Sequence, residues 1–252
     1  MRGVKPNYVP LMKFRNHKFL KFTPTMIGVY PLYKPENHEF LTSYNNLPID
    51  PYHMAKEYPT RFRRYANYTC ALKSRDVFEW THNPDVIYNQ NVTDERGKPR
   101  LFEDIEKPYI YNHWLLQLLT QSVALALVQD KVISKQLICN VIKEVSVDIH
   151  QVRQVAYPRL ESHNSPEGIH RDGASYIVSA FVMNRSNVGG GESIIYDEHK
   201  IEEYETILKK GEGMFMEDMV QYHYVEPIHA LNNCLGFRDI LGIDIKLIRG
   251  DP

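Results

Sequence analysis

The chain has 252 residues, 43% hydrophobic and 24% charged, and its 30 basic side chains nearly cancel 31 acidic ones for a net charge of −1. These proportions exclude wholesale disorder, collagen and a whole-chain coiled coil, and a near-neutral chain has no global field with which to hold nucleic acid or an anionic membrane. Three scattered cysteines, Cys70, Cys139 and Cys234, with no CxxC pair, make neither a disulfide framework nor a zinc finger.

The first 22 residues lack the apolar stretch of a secretory leader. The longest apolar run, 123–128, is too short for a bilayer span. Both point to a cytoplasmic protein. Residues 1–60 are rich in Pro and Tyr, with strand-like pieces such as 26–30. The cluster Arg61-Phe62-Arg63-Arg64-Tyr65 reads as a strand face that is either solvated and salt-bridged or turned to an anionic ligand. Residues 83–100 read as a loop, marked by Asn83-Pro84 and Gly97-Lys98-Pro99. Apolar residues at 115, 118, 119, 123, 126 and 127 then recur at helical spacing, predicting a helix over 114–128. A second helix is predicted from Ser134, as N-cap, to about Glu144, the two packing as a pair on a sheet.

Beyond residue 145 the pattern is that of short strands: 147–157, 175–183, 192–196, 203–208, 214–216, 222–225 and 237–248, broken by Gly189-Gly190-Gly191 and Gly211-Glu212-Gly213. That rhythm predicts a β-sandwich or jelly roll. No linker divides the chain. The expected organisation is therefore one domain over 1–252, mainly β with α, in which a mixed α/β part (1–145) supports a β core (146–250).

HExxH, GxSxG, GxGxxG and P-loop motifs are all absent. What remains is His170-Arg171-Asp172. In extended chain, residues i and i+2 project to one side, so an imidazole and a carboxylate converge, a pair suited to a divalent metal such as Fe(II). The tripeptide alone is weak, because a simple turn capped by Asp172 explains it as well. Glu167-Gly168 before it and Gly173 after it place it at the tight mouth of a strand. A third ligand must come from a distant strand, and His223, among Tyr222, Tyr224 and Val225, is the leading candidate; His229 and His163 rank below it. Arg238 stands in an otherwise apolar strand, and a buried guanidinium needs an anion. That anion is either an internal carboxylate, such as Glu192 or Asp244, or the far carboxylate of a dicarboxylic acid.

Together His170-x-Asp172, His223 and Arg238 resemble the Fe(II)/2-oxoglutarate-dependent dioxygenases. The stretch Pro166-Glu167-Gly168-Ile169-His170-Arg171-Asp172-Gly173 is similar to the metal loop of the bacterial amino-acid dioxygenase family that includes L-isoleucine dioxygenase. Asn184–Asn187, Gly190–Ser193, His223–Ile228 and Arg238–Leu241 extend the likeness over 148–246. The resemblance implies a double-stranded β-helix (jelly-roll or cupin-like), flanked by N-terminal helices, with the metal at its open end. It implies Fe(2+) on His170, Asp172 and His223, with 2-oxoglutarate as cosubstrate paired to Arg238, O2 as oxidant, and ascorbate as an assay supplement. In some members a Ser or Thr stands two positions after the arginine; here it is Ile240, so a second hydroxyl is expected from elsewhere, with Tyr157 as candidate.

The implied reaction is hydroxylation of an unactivated C–H of a free aliphatic amino acid, leucine- or isoleucine-like, with release of succinate and CO2. Arg153 and Gln151 are the candidates for the substrate's polar end. The alternatives are the same chemistry on a carrier-bound or peptidyl residue or another small metabolite, and a non-catalytic jelly-roll binding module. A small-molecule partner is expected, with neither nucleic acid nor membrane; the sequence leaves the oligomeric state open.

Overall fold

The computed structural model describes residues 2–32, 37–53, 58–74, 77–90, 97–130 and 142–249. Strands come in the order β1 (Arg2–Val4), β2 (Phe19–Phe22), β3 (Arg61–Ser74), β4 (Val77–Asn83), β5 (Ile142–Ala156), β6 (Tyr176–Ser186), β7 (Val188–Gly190), β8 (Glu192–Tyr196), β9 (Glu202–Ile207), β10 (Gly213–Met216), β11 (Tyr222–Val225), β12 (Ile228–Ala230) and β13 (Gly236–Arg249). Helices α1 (His38–Thr42), α2 (Lys107–Ile110) and α3 (His113–Gln129) precede β5. Among the described residues the strands form an eight-stranded antiparallel sheet, β1-β4-β3-β5-β13-β6-β10-β2, a three-stranded sheet β11-β8-β9 and the pair β12-β7. The molecule is mostly β, a jelly-roll architecture.

Side-chain parity along the two longest central strands separates two environments. Val145, Val147 and Ile149 of β5 and Leu241, Ile243 and Ile245 of β13 face α3 and join its core. Val152 of β5 and Ile240 of β13 face the other way, packing with Ile195 of the small sheet and Met214 and Met216 of β10. In register, Arg238, Ile240, Gly242 and Asp244 of β13 oppose Gln154, Val152, His150 and Asp148 of β5. Arg61, Arg63, Tyr65 and Asn67 of β3 continue the same four rows on the other side of β5. This inner face is the floor of the site.

Helix α3 begins where Asn112 caps it, its side chain accepting from the Leu115 amide at 3.1 Å. It is buried on nearly every side, as its unbroken apolar run requires. The large sheet covers one face, and the N-terminal segment, with Leu11, Ile27 and Val29, contributes to the same core. Gln121 ties that segment down by donating to the carbonyls of Asn7 (2.9 Å) and Ile27.

Two details of the sequence expectations need correction. Residues 26–30 are not strand-like: Pro24–Ile27 is a 3-10 turn with Pro24 leading it, and Ile27 and Val29 pack into the core instead of pairing. The mixed α/β part also supplies β1 to β4 to the large sheet. The second predicted helix lies mostly outside the described residues, and from Ile142 onward the chain is strand.

Candidate active site

Three strand-derived constraints build the central cluster. The loop after β5 runs beside β11, and His170 and His223 pair through their backbones, His170 N to His223 O at 3.0 Å and His223 N to His170 O at 2.9 Å. Their rings lie 4.3 Å apart. The extended chain at 170–172 then turns Asp172 to the same side. Its two carboxylate oxygens lie 3.6 Å from His170 Nε2 and 3.5 Å from His223 Nε2. One ligand atom from each of the three falls within 4.8 Å of the others.

The surrounding residues orient these groups. His170 Nδ1 lies 2.8 Å from the Gly168 carbonyl, which can only accept, so Nδ1 carries the proton and Nε2 offers a lone pair to the cluster. Gln90 donates to Asp172 Oδ1 at 2.8 Å. Asp218 is fully buried beneath the loop and accepts from the amides of Asp172 (3.0 Å), Gly173 (2.7 Å) and Ala174 (3.0 Å). Gly173, at φ +80°, supplies the left-handed bend that aims these amides at one carboxylate. Burial, reinforced by the Asp172 carboxylate, raises the pKa of Asp218 to about 7, with the amides opposing. Two imidazoles and one carboxylate converging with open space beside them suit a divalent iron ion.

The cluster opens into a cavity of about 660 Å³, lined on its floor by Arg63, His150, Val152, Ile240 and Asp244. Arg238 lies two positions before Ile240 on the same face of β13, completely buried. Its Nε, Nη1 and Nη2 find no hydrogen-bond partner among the described residues. Burial, with Arg185 alongside, pulls its pKa down to about 10 even though Glu192 opposes the shift. The internal partners considered from sequence do not serve: Asp244 accepts instead from Tyr88 at 3.3 Å and meets His150 at 3.2 Å. Three unpartnered nitrogens on a buried cation are the signature of a site for an added carboxylate. Gln154, directly across from Arg238, is equally buried, and both its amide atoms are likewise unpartnered among the described residues.

Of the residues singled out from sequence, His170, Asp172 and His223 come together, with Arg238 on the inner face of the same sandwich. Arg153 and Gln151 are not brought to the cavity. Strand parity turns both to the opposite face of β5, where Arg153 forms a bidentate pair with Asp239 (2.6 and 2.8 Å) and Gln151 donates to Ser43 at 2.7 Å. Tyr157 also lies apart: its hydroxyl donates to the Pro59 carbonyl at 3.2 Å, and it lines a second cavity together with His163 and His229. Asp218, Gln90, Gln154 and Arg63 were not singled out as site residues. Only Arg63 carried a signal, as part of the basic cluster.

Comparison with known proteins agrees with this geometry. The profile of the family described as 2OG-Fe dioxygenase matches residues 41–244. The chain belongs to the 2OG-Fe dioxygenase family. It is therefore an oxidoreductase, and the family implies Fe(2+), 2-oxoglutarate and O2. This dioxygenase is 27% identical over 216 residues to L-isoleucine-4-hydroxylase of Bacillus thuringiensis, covering 83% of this chain and 84% of that one. Its fold matches the crystal structure of IDO from Bacillus thuringiensis, with a TM-score of 0.70 at 23% identity over 94% of this chain and 97% of that one. It also matches a bsmA homolog from Methylobium petroleophilum, with a TM-score of 0.76 at 18% identity over 96% and 94%. At such identities these two structures speak to fold alone. No helix among the described residues is long and apolar enough to cross a membrane.

Proposed function

We propose that this dioxygenase hydroxylates an unactivated C–H bond of a free aliphatic amino acid such as leucine or isoleucine, releasing succinate and CO2. The observation that carries the reading is the convergence of His170, Asp172 and His223 at the mouth of a cavity, with a fully buried Arg238, unpartnered among the described residues, two positions before the cavity-lining Ile240 on the same face of β13. The likeness to an L-isoleucine-4-hydroxylase supports the substrate class.

In this reading His170, Asp172 and His223 would hold Fe(II), and Arg238 would pair with the distal carboxylate of 2-oxoglutarate. When bound, the iron and the oxo acid together activate O2, so that one oxygen atom enters the substrate C–H bond and the other leaves in succinate. The chain's own residues do the rest. The Gly168 carbonyl keeps His170 in the Nδ1–H form. Gln90 and the Asp218 cradle hold Asp172 in place. Gln154 takes over the second polar contact to the cosubstrate for which Tyr157 was considered, because it stands in register with Arg238. Val152 and Ile240 keep water from the reacting region. We further propose that the chain works as one domain, since β3 and β5 share the floor with β13.

The test is mass spectrometry of a pooled amino-acid mixture incubated with the enzyme, Fe(II), 2-oxoglutarate and ascorbate. A gain of one oxygen atom on an aliphatic amino acid, matched by succinate, is the expected result. Succinate formation stimulated only by peptides or carrier-bound residues would replace the free amino acid with those substrates.

A further inference from the structure

The cavity floor contains a polar device that holding iron and cosubstrate does not require. Arg63 of β3 is 9% exposed and lines the cavity. Its Nη2 donates to His150 Nδ1. Because Nδ1 accepts, His150 carries its proton on Nε2 and donates it to Asp244, 3.2 Å away. Tyr88 closes the chain by donating to the same Asp244 oxygen at 3.3 Å. The guanidinium plane is held over the rings of Phe102, at 4.2 Å, and Tyr88, at 5.5 Å. Three strands and a loop thus fix one cation at the cavity wall, while its Nε–H has no acceptor among the described residues. A buried donor left unspent on a rigid cation is costly unless a ligand completes it.

The other basic groups around the cavity are placed differently. Arg61 is engaged with Asp50 at 2.7 Å, Lys98 is exposed on the rim, and Arg100, half-buried, lies two residues further along the same rim segment. Among the acidic lining residues, Asp172 belongs to the triad and Asp244 to the relay, which leaves Glu167. Its carboxylate lies 3.2 Å from His170 Nε2. That nitrogen faces the metal position, so Glu167 is the carboxylate beside the triad left to meet a positive charge on the substrate.

We propose that Arg63, positioned by the His150–Asp244–Tyr88 relay, receives the substrate's α-carboxylate, and that Glu167 receives its α-ammonium. The inference rests on the free amino-acid reading and assigns that substrate's polar end. His150 and Asp244 are positioning residues; Arg63 and Glu167 are the contacts.

The probes are L-leucine and L-isoleucine with their carboxamides and N-acetyl derivatives, titrated calorimetrically into Mn(II)-loaded, 2-oxoglutarate-bound protein. Wild type should bind the free amino acids and reject both derivatives. Arg63→Leu should weaken the free amino acid by about thirtyfold or more, level with its amide, with partial recovery in Arg63→Lys. Glu167→Gln should relax rejection of the N-acetyl compound. In every variant 2-oxoglutarate affinity should stay within about threefold of wild type, which also shows that the fold is intact. Wild-type amino-acid affinity in Arg63→Leu, or a loss of 2-oxoglutarate affinity instead, overturns the assignment. So does equal wild-type binding of acid and amide, which leaves the hydroxylation itself standing if amino acids are oxidised. If wild type neither binds nor oxidises any free amino acid, the substrate reading fails and the inference falls with it.

Discussion

Individual side chains carry the chemistry, and their predicted losses differ in kind. Asp172→Ala and His170→Ala each remove one of three converging ligand atoms, so both should abolish turnover and stoichiometric Fe(II) or Mn(II) binding. Circular dichroism should stay native, because the His170–His223 backbone pair remains. Arg238→Ala deletes a charge-assisted, fork-shaped contact worth about 2–3 kcal/mol, so 2-oxoglutarate affinity should fall about 30- to 150-fold. Titration of the cosubstrate into the Mn(II) form checks this, and an unchanged affinity would move the anchor elsewhere. The convergent cluster and the buried arginine were legible as candidates in the sequence because a His-x-Asp in extended chain and an arginine in an apolar strand each demand a partner. The contacts proposed for the substrate's polar end were not. Arg153 and Arg63 are both basic strand residues, and nothing local says which of them points inward. Only the register of β5 against β3 and β13 decides it, turning Arg153 onto Asp239 and Arg63 into the cavity.

At the scale of elements, α3 and the turn at Gly191 are the places to probe. The helix was legible from its apolar spacing, and its first residue, His113, lies one position before the predicted start, capped by Asn112. Asn112→Ala should cost about 1 kcal/mol of stability by orphaning the Leu115 amide, which a denaturant titration would detect. Gly191, at φ +76°, would place a Cβ 2.9 Å from Ile228 Cγ2 and 3.2 Å from Arg238 Nη1. Gly191→Ala should therefore displace the arginine it abuts and weaken 2-oxoglutarate binding more than it weakens metal binding; equal losses would mean general unfolding. The strands of the C-terminal half were legible because β-branched and aromatic residues alternate between glycine turns. The short β1 and β2 were not, since three- and four-residue strands have too little length to show a period, and their partners lie far away in sequence.

The molecule buries several charges on the inner face of its large sheet, and that gives its stability a pH dependence. Asp244 is fully buried, and burial together with the Asp148 carboxylate raises its pKa to about 7. The folded state therefore keeps a proton that the unfolded chain, with an ordinary carboxyl, releases near pH 4. This contribution is fully favourable below about pH 4 and is lost as pH rises toward 7, because the native state binds more protons across that window. Asp148, held low by Lys246 and by donors from Tyr65 and Asn67, works in the opposite sense. Asp244→Asn should flatten the decline in unfolding free energy between about pH 4 and 7; urea titrations at several pH values measure it, and an unaltered slope would assign the dependence to other groups.

The backbone exchange between residues 170 and 223 has a practical corollary. Because main-chain bonds rather than coordination hold the two imidazoles side by side, stripping the ion with a chelator should leave an assembled, vacant receptor. Restoring ferrous salt should then return activity in a single fast second-order step, with no slow reorganisation phase.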